Sequence, residues 1–238
     1  MNEGPHIPKT QEHLNKGISP IIYCVGSPKD FVEHSEDSPD TIISSQDNNF
    51  GLENVKNINW GHGNFEGENS LSAGPCTYVI SGVDNSNKSS KGFGPCTGLI
   101  VAGITKTGEK VSFLSHQSSR EILYDNNENF VTHLKMQLEE IKKRCEDGTI
   151  DAVILGGEYT NDDFKKKYLK VIKLLGTEIQ QTLGFEPTII NGPRLFTEKQ
   201  DDVFYDNKNR RVYFVRSSVN PQIGSFPASD VSNQLDKL

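Results

Sequence analysis

The sequence predicts an α+β fold, a layered domain in which two principal helices pack on a mixed or mainly antiparallel β-sheet core. Three features carry that expectation. Short apolar runs of strand character crowd residues 71–116 and recur near the C-terminal end. Two long segments place apolar residues at helical spacing. These pieces do not alternate as a regular βαβ repeat. A chain of 238 residues can bury a proper core as one domain with extensions. It divides into a polar, loosely structured extension over 1–70, an α/β domain over 71–216 and a flexible tail over 217–238.

The extension holds five of the eleven prolines and much Asn, Asp, Ser and Gly. Its short apolar runs "PIIYCV" and "DTIIS" read as an isolated strand or two that can join the domain behind. Beyond residue 70, "CTYVISGV" and "CTGLIVAGIT" read as strands. After the turn signal "KTG" comes "EKVSFLSH", which makes 96–116 a β-hairpin. In "NENFVTHLKMQLEEIKKRCEDG" the residues Phe130, Leu134, Leu138, Ile141 and Cys145 share one helical face, so Cys145 is a core cysteine. His133 falls with Gln137, Glu140 and Arg144 on the solvated face of that helix.

"IDAVILGG" is a buried strand running into a Gly-Gly turn. A second helix opens with Thr160 and Asp163 in capping-box spacing and turns Phe164, Tyr168, Ile172, Leu175 and Ile179 inward. Its lysines 165, 166, 167, 170 and 173 lie outward as a solvated face rather than an anion site. "EPTII" supplies one more strand, and "DVFYDNKNRRVYFV" a closing hairpin turned at Asn207–Asn209.

Charge and cysteine usage narrow the function. With 25 basic and 32 acidic residues the formal charge is −7, which disfavours general nucleic-acid binding. No stretch reaches bilayer-spanning length and the N-terminus lacks a signal-peptide apolar region, so a soluble protein is expected, cytoplasmic or secreted into a host cell. Cysteines 24, 76, 96 and 145 form no C-x-x-C pair, so no metal site and no cofactor is expected.

Two of those cysteines sit in the same tetrapeptide. Gly-Pro-Cys-Thr occurs with Cys76 in "LSAGPCTYVI" and with Cys96 in "GFGPCTGLIV". The sequence leaves a disulfide between them open. A cysteine nucleophile needs a base, because a free thiol is only a few per cent ionised at neutral pH. Of the six histidines, four lie in the extension and His133 on a solvated face, which leaves His116 at the end of "VSFLSH". With a turn centred on Thr107-Gly108, Lys106 pairs with Glu109 and His116 falls opposite Leu99. Cys96 is then three residues further out, roughly 10 Å along the strand, and a bulge or a bend at Pro95 must close the gap. Cys76 has no histidine tied to it by local geometry. The pairing favours Cys96, although a Cys and a His at one hairpin mouth are more often packing than chemistry.

The stretch "KGFGPCTGLIVAGITKTGEKVSFLSHQSS" resembles the core of the CheD-like chemoreceptor glutamine deamidases and the related cytotoxic-necrotizing-factor catalytic domains. "DAVILGGEY" is similar to their strand-Gly-Gly segment, and "GPRLFTEKQDDVFYDNKNRRVYFVR" to their terminal hairpin. The resemblance covers about residues 75–216, and N-terminal asparagine amidohydrolases share a similar arrangement. It implies a deamidase-like catalytic domain with Cys96 as nucleophile and His116 as general base. Ser90 stands six residues before the cysteine, where CheD-like proteins carry a threonine that orients the imidazole. The chain departs from the family pattern at Ser90, at Pro95 before the nucleophile, and in a longer Cys-to-His interval.

The implied reaction is hydrolysis of a glutamine side chain on a protein substrate through a thioester, as in a secreted bacterial effector or toxin. The Cys96 amide and one from the approach at Gly94 would receive the oxyanion, and Gly156, Gly157 and Glu158 would border the substrate. Two other functions fit the same resemblance. An N-terminal asparagine amidohydrolase would use Glu158 for the α-ammonium, and a catalytically silent binding domain would keep only the fold. A thiol protease is disfavoured, because the family acts on side-chain amides.

Overall fold

The computed structural model describes residues 22–25, 54–58, 70–72, 77–124, 127–159, 161–189, 201–216 and 234–235. Within them the strands are β1 (Ile22–Val25), β2 (Val55–Asn57), β3 (Ser70–Ser72), β4 (Tyr78–Ser81), β5 (Asn87–Phe93), β6 (Thr97–Ile104), β7 (Lys110–Gln117), β8 (Asp151–Gly156), β9 (Thr188–Ile189), β10 (Asp201–Asp206) and β11 (Arg211–Arg216). The helices are α1 (Asn127–Arg144) and α2 (Asp162–Leu183). The fold is α+β with two helices and mixed sheets, as the sequence suggests. The strands form two sheets rather than one, in the orders β1-β11-β10-β5-β2 and β3-β4-β7-β6-β8-β9. Three pairings, β1 with β11, β2 with β5 and β8 with β9, are parallel and the rest antiparallel.

Alternation along the central strands explains the layering. In β6, Leu99 and Val101 join Phe130, Leu134, Leu138, Ile141, Tyr168, Ile172, Leu175 and Ile179 of the two helices in one buried cluster. Ile100 and Ala102 join Val203, Tyr205, Val212 and Phe214 of the other sheet in a second cluster. Both faces of the six-stranded sheet are therefore buried, one under helices and one against the five-stranded sheet. This is why β6 and β8 read as unbroken apolar runs instead of alternating ones.

Both helical stripes lie where the spacing places them, and each fully buried Leu or Ile in them contributes about 1.5–3 kcal/mol. Phe164, the first residue of its stripe, is only partly buried. The start of α2 differs from the capping-box expectation. Asn161 is the N-cap, its side-chain oxygen accepting from the Phe164 amide at 3.0 Å. Asp163 is free of that duty and pairs with Lys167 one turn on. Cys145 is a buried free thiol whose pKa burial pushes up to about 11. His133 is not purely solvated: its Nδ1 shares a 2.8 Å hydrogen bond with the buried Tyr78 hydroxyl. Among the described residues no helix is long and apolar enough to cross a membrane.

The N-terminal segment does add strands. β1 pairs with β11, β2 pairs with β5, and β3 straddles the boundary expected at residue 70. "DTIIS" and Cys76 lie outside the described residues. β5 itself has no counterpart in the sequence reading, because "NKSSKGF" looks like a polar loop. It is a strand because its inward polar groups are satisfied. The Lys88 ammonium is buried and donates to Asp84 Oδ1 at 2.8 Å, to the Ser86 carbonyl at 3.0 Å and to Ser112 Oγ at 3.1 Å. Burial brings the Lys88 pKa down to about 8 against the opposing Asp84 charge. For Asp84, burial acts upward, but the Lys88 charge and the Lys88 and Ser86 donors hold its carboxyl at about 2.

Candidate active site

The β6–β7 hairpin decides whether Cys96 and His116 can meet. Its turn is one residue longer than expected. Thr105 N–H donates to the Glu109 carbonyl at 2.7 Å and Gly108 N–H to the Thr105 carbonyl at 2.8 Å, so Lys106–Gly108 form a three-residue loop. Gly108 has φ +84, the left-handed conformation that closes such loops. The added residue shifts the register, so that His116 lies opposite Gly98 and not Leu99.

That shift changes the face. Cys96 is two residues from Gly98, so Cys96 and His116 point the same way without a bulge or a bend at Pro95. The register persists past the last ladder pair, since Ser119 Oγ donates to the Pro95 carbonyl at 3.0 Å. Cys96 is a free thiol, 5% exposed, in the apolar cluster between the sheets. Diagonal neighbours of this kind lie about 7–8 Å apart, within reach of longer side chains.

His116 is 1% exposed. Its Nδ1 is 2.8 Å from Ser90 Oγ, and the single Ser90 hydroxyl proton goes to the Ile58 carbonyl. A carbonyl cannot donate, so Ser90 must accept from Nδ1–H. The neutral imidazole therefore carries its proton on Nδ1 and its lone pair on Nε2. The ring of Phe93 stacks on the imidazole with centroids 3.9 Å apart and planes 16° from parallel. Phe93 was missed in the sequence because "KGFG" reads as the approach to a turn, and nothing in a polar strand advertises an aromatic plate.

Burial pushes the His116 pKa down to about 3. The folded imidazole stays neutral to that pH, while the unfolded one takes a proton near 6.5. The unfolded chain thus binds more protons between these values. The stability contributed by neutral His116 is complete above pH 6.5 and falls as the pH drops toward 3. Denaturant titrations at stepped pH should show this loss in the wild type and a flatter profile in His116→Asn, which has no proton to gain. Parallel profiles would contradict it.

The remaining expected residues divide. Gly157 N–H donates to the Cys96 carbonyl at 2.8 Å, so the Gly-Gly turn docks on the backbone of Cys96 itself. Gly156 and Gly157 have φ +76 and +99, and a Cβ on Gly156 would lie 2.6 Å from the Cys96 carbonyl oxygen. Glu158 is buried directly after this turn. Gly94 does not serve as expected: its N–H donates to the Gly92 carbonyl at 2.9 Å. The amide expected at the oxyanion is thus already engaged in a tight turn. Compared with known proteins, the chain matches no family model and no curated protein.

Proposed function

We propose that this chain is a cysteine-dependent amidohydrolase that deamidates a glutamine side chain on a protein, with no metal or cofactor taking part. One observation carries the reading: a buried imidazole, held by Ser90 with its proton on Nδ1, shares a sheet face with a free cysteine two residues along the hairpin. The likeness of the Gly-Pro-Cys strand, Gly-Gly turn and terminal hairpin to CheD-like and necrotizing-factor deamidases supplies the reaction class and a CheD-like fold assignment.

The Cys96 thiol gives its proton to His116 Nε2, and the sulfur adds to the carboxamide carbon. Nε2 returns the proton to the nitrogen, the C–N bond breaks, and ammonia leaves a thioester. Water, deprotonated by Nε2, then adds to the thioester, and the C–S bond breaks to give glutamate and the Cys96 thiol. Neutral imidazole suits this sequence, because a base must have an open lone pair before the substrate arrives. With Gly94 engaged, the Cys96 amide is the oxyanion donor in this scheme.

Ammonia release from candidate protein pools, with a mass gain of about one dalton at an internal glutamine, is the test. The same gain at an N-terminal asparagine favours the N-terminal amidohydrolase, a reading supported by buried Glu158 beside the Gly157 contact to Cys96. No release from any pool leaves a binding domain. Ser90→Ala should slow the reaction about fivefold to tenfold, the scale of one orienting hydrogen bond. Ser90→Thr keeps the hydroxyl and should stay near the wild-type rate. Unchanged kinetics in Ser90→Ala would remove Ser90 from the machinery.

A further inference from the structure

Ser90 and Phe93 are three residues apart on β5, and a regular strand sends residues at odd spacing to opposite faces. Both nevertheless meet His116, Ser90 at the ring edge and Phe93 on the ring face. The pairing with β10 explains how. Val203 lies opposite Ser90 and Asp201 opposite Phe93, so three steps on β5 face two on β10. The extra residue is a β-bulge, and Gly92 within it has φ +83, a conformation open to glycine. Its amide, displaced from the ladder, donates to Asp202 Oδ1 at 3.1 Å, from the residue between the two paired positions of β10.

The ring that the bulge delivers fits a slot left by two missing side chains. A Cβ on Gly98 would lie 2.7 Å from Phe93 Cε1, and one on Gly156 would lie 3.3 Å from Cδ1. Gly98 is the residue opposite His116. The imidazole, the phenyl ring and both glycine backbones thus form one packed unit, tied to the five-stranded sheet through Asp202.

We propose that the Gly92 bulge, with Phe93 as its working side chain, is the device that positions His116. The hydrogen bond to Ser90 alone fixes one ring nitrogen and leaves the ring plane to rotate about that contact. The phenyl plate removes this freedom and keeps water off one face. With Nδ1 on Ser90, Nε2 is the ring nitrogen turned away from that contact, on the sheet face that His116 shares with Cys96. Phe93 exchanges no proton and forms no bond in the scheme; it acts through His116 and is a positioning residue. The inference rests on the Cys96–His116 reading above.

Phe93→Leu keeps most of the apolar volume and removes the plate. The His116 side-chain tautomer and titration, read by ¹⁵N–¹H NMR, report positioning whether or not a substrate is in hand. Expected are a mixture of Nδ1–H and Nε2–H forms and a titration midpoint moved upward. Where ammonia release is measurable, kcat should fall about tenfold to a hundredfold at unchanged KM, the scale of a small misplacement of a catalytic group. Asp202→Ala, on the far side of the strand, should move the same signals in the same direction by less, and it decides the question if Phe93→Leu does not fold. Either variant, folded and with wild-type tautomer, titration and kcat, overturns its part of the device. If the wild type releases no ammonia yet Phe93→Leu scrambles the tautomer, the positioning role stands and the hydrolytic reading falls.

Discussion

Cys96→Ser should abolish ammonia release and leave the protein folded. The thiol sits in an apolar pocket between two sheets, and a hydroxyl of slightly smaller size enters it with little rearrangement. The proposed chemistry should not survive the exchange, because a serine hydroxyl is a much weaker acid than a thiol and the neutral imidazole has no carboxylate partner in Ser90. Cys76→Ser serves as the control and should keep most activity. Equal loss from both substitutions in folded protein would point to Cys76 as nucleophile or to a functional disulfide, and would end the present assignment. Iodoacetamide gives an independent reading. It should label Cys96 ahead of Cys145, whose thiol burial pushes up to about 11, since only the thiolate reacts. Labelling of Cys145 first would count against an activated Cys96.

The elements legible in the sequence were those whose burial has one cause. The stripe of Phe130, Leu134, Leu138, Ile141 and Cys145 needs only the helical period, and the closing hairpin only its turn residues. β5 was illegible because its inward positions are Lys88 and Ser90, whose burial depends on Asp84 and His116 elsewhere in the chain. The second sheet went unseen with it, since β5 joins β10 to β2. The candidate site was legible as a set of residues but not in its geometry. "KTG" marks a turn without saying whether two or three residues form it, and that single residue decides which face His116 shares with Cys96. Gly94 makes a related point: the sequence shows that an amide exists there and not that its N–H donates to the Gly92 carbonyl.

The largest stability effect expected of a conservative change is at Gly157. Its φ of +99 is open to glycine and strained for any L residue. A Cβ there would lie 2.1 Å from Tyr168 Cε2 and 2.2 Å from Cδ2, well inside contact distance. Tyr168 cannot swing aside cheaply, for it is 1% exposed and its ring meets Tyr159 edge-on at 5.4 Å. Backbone strain and overpacking together put the cost of Gly157→Ala at about 2–5 kcal/mol. Gly176→Ala is the matched control within α2, where a new Cβ meets nothing within 4 Å, and it should stabilise by about 0.5–1 kcal/mol. Denaturant melts of the two variants should therefore move in opposite directions. Tyr168→Leu combined with Gly157→Ala should cost less than the sum of the two, because the shorter side chain removes the clash and leaves the strain. Additive costs, or a Gly157→Ala variant as stable as the wild type, would show that the turn can shift. In that case Gly157 N–H would no longer be fixed to the Cys96 carbonyl, and the backbone that holds Cys96 would have to be anchored by the hairpin alone.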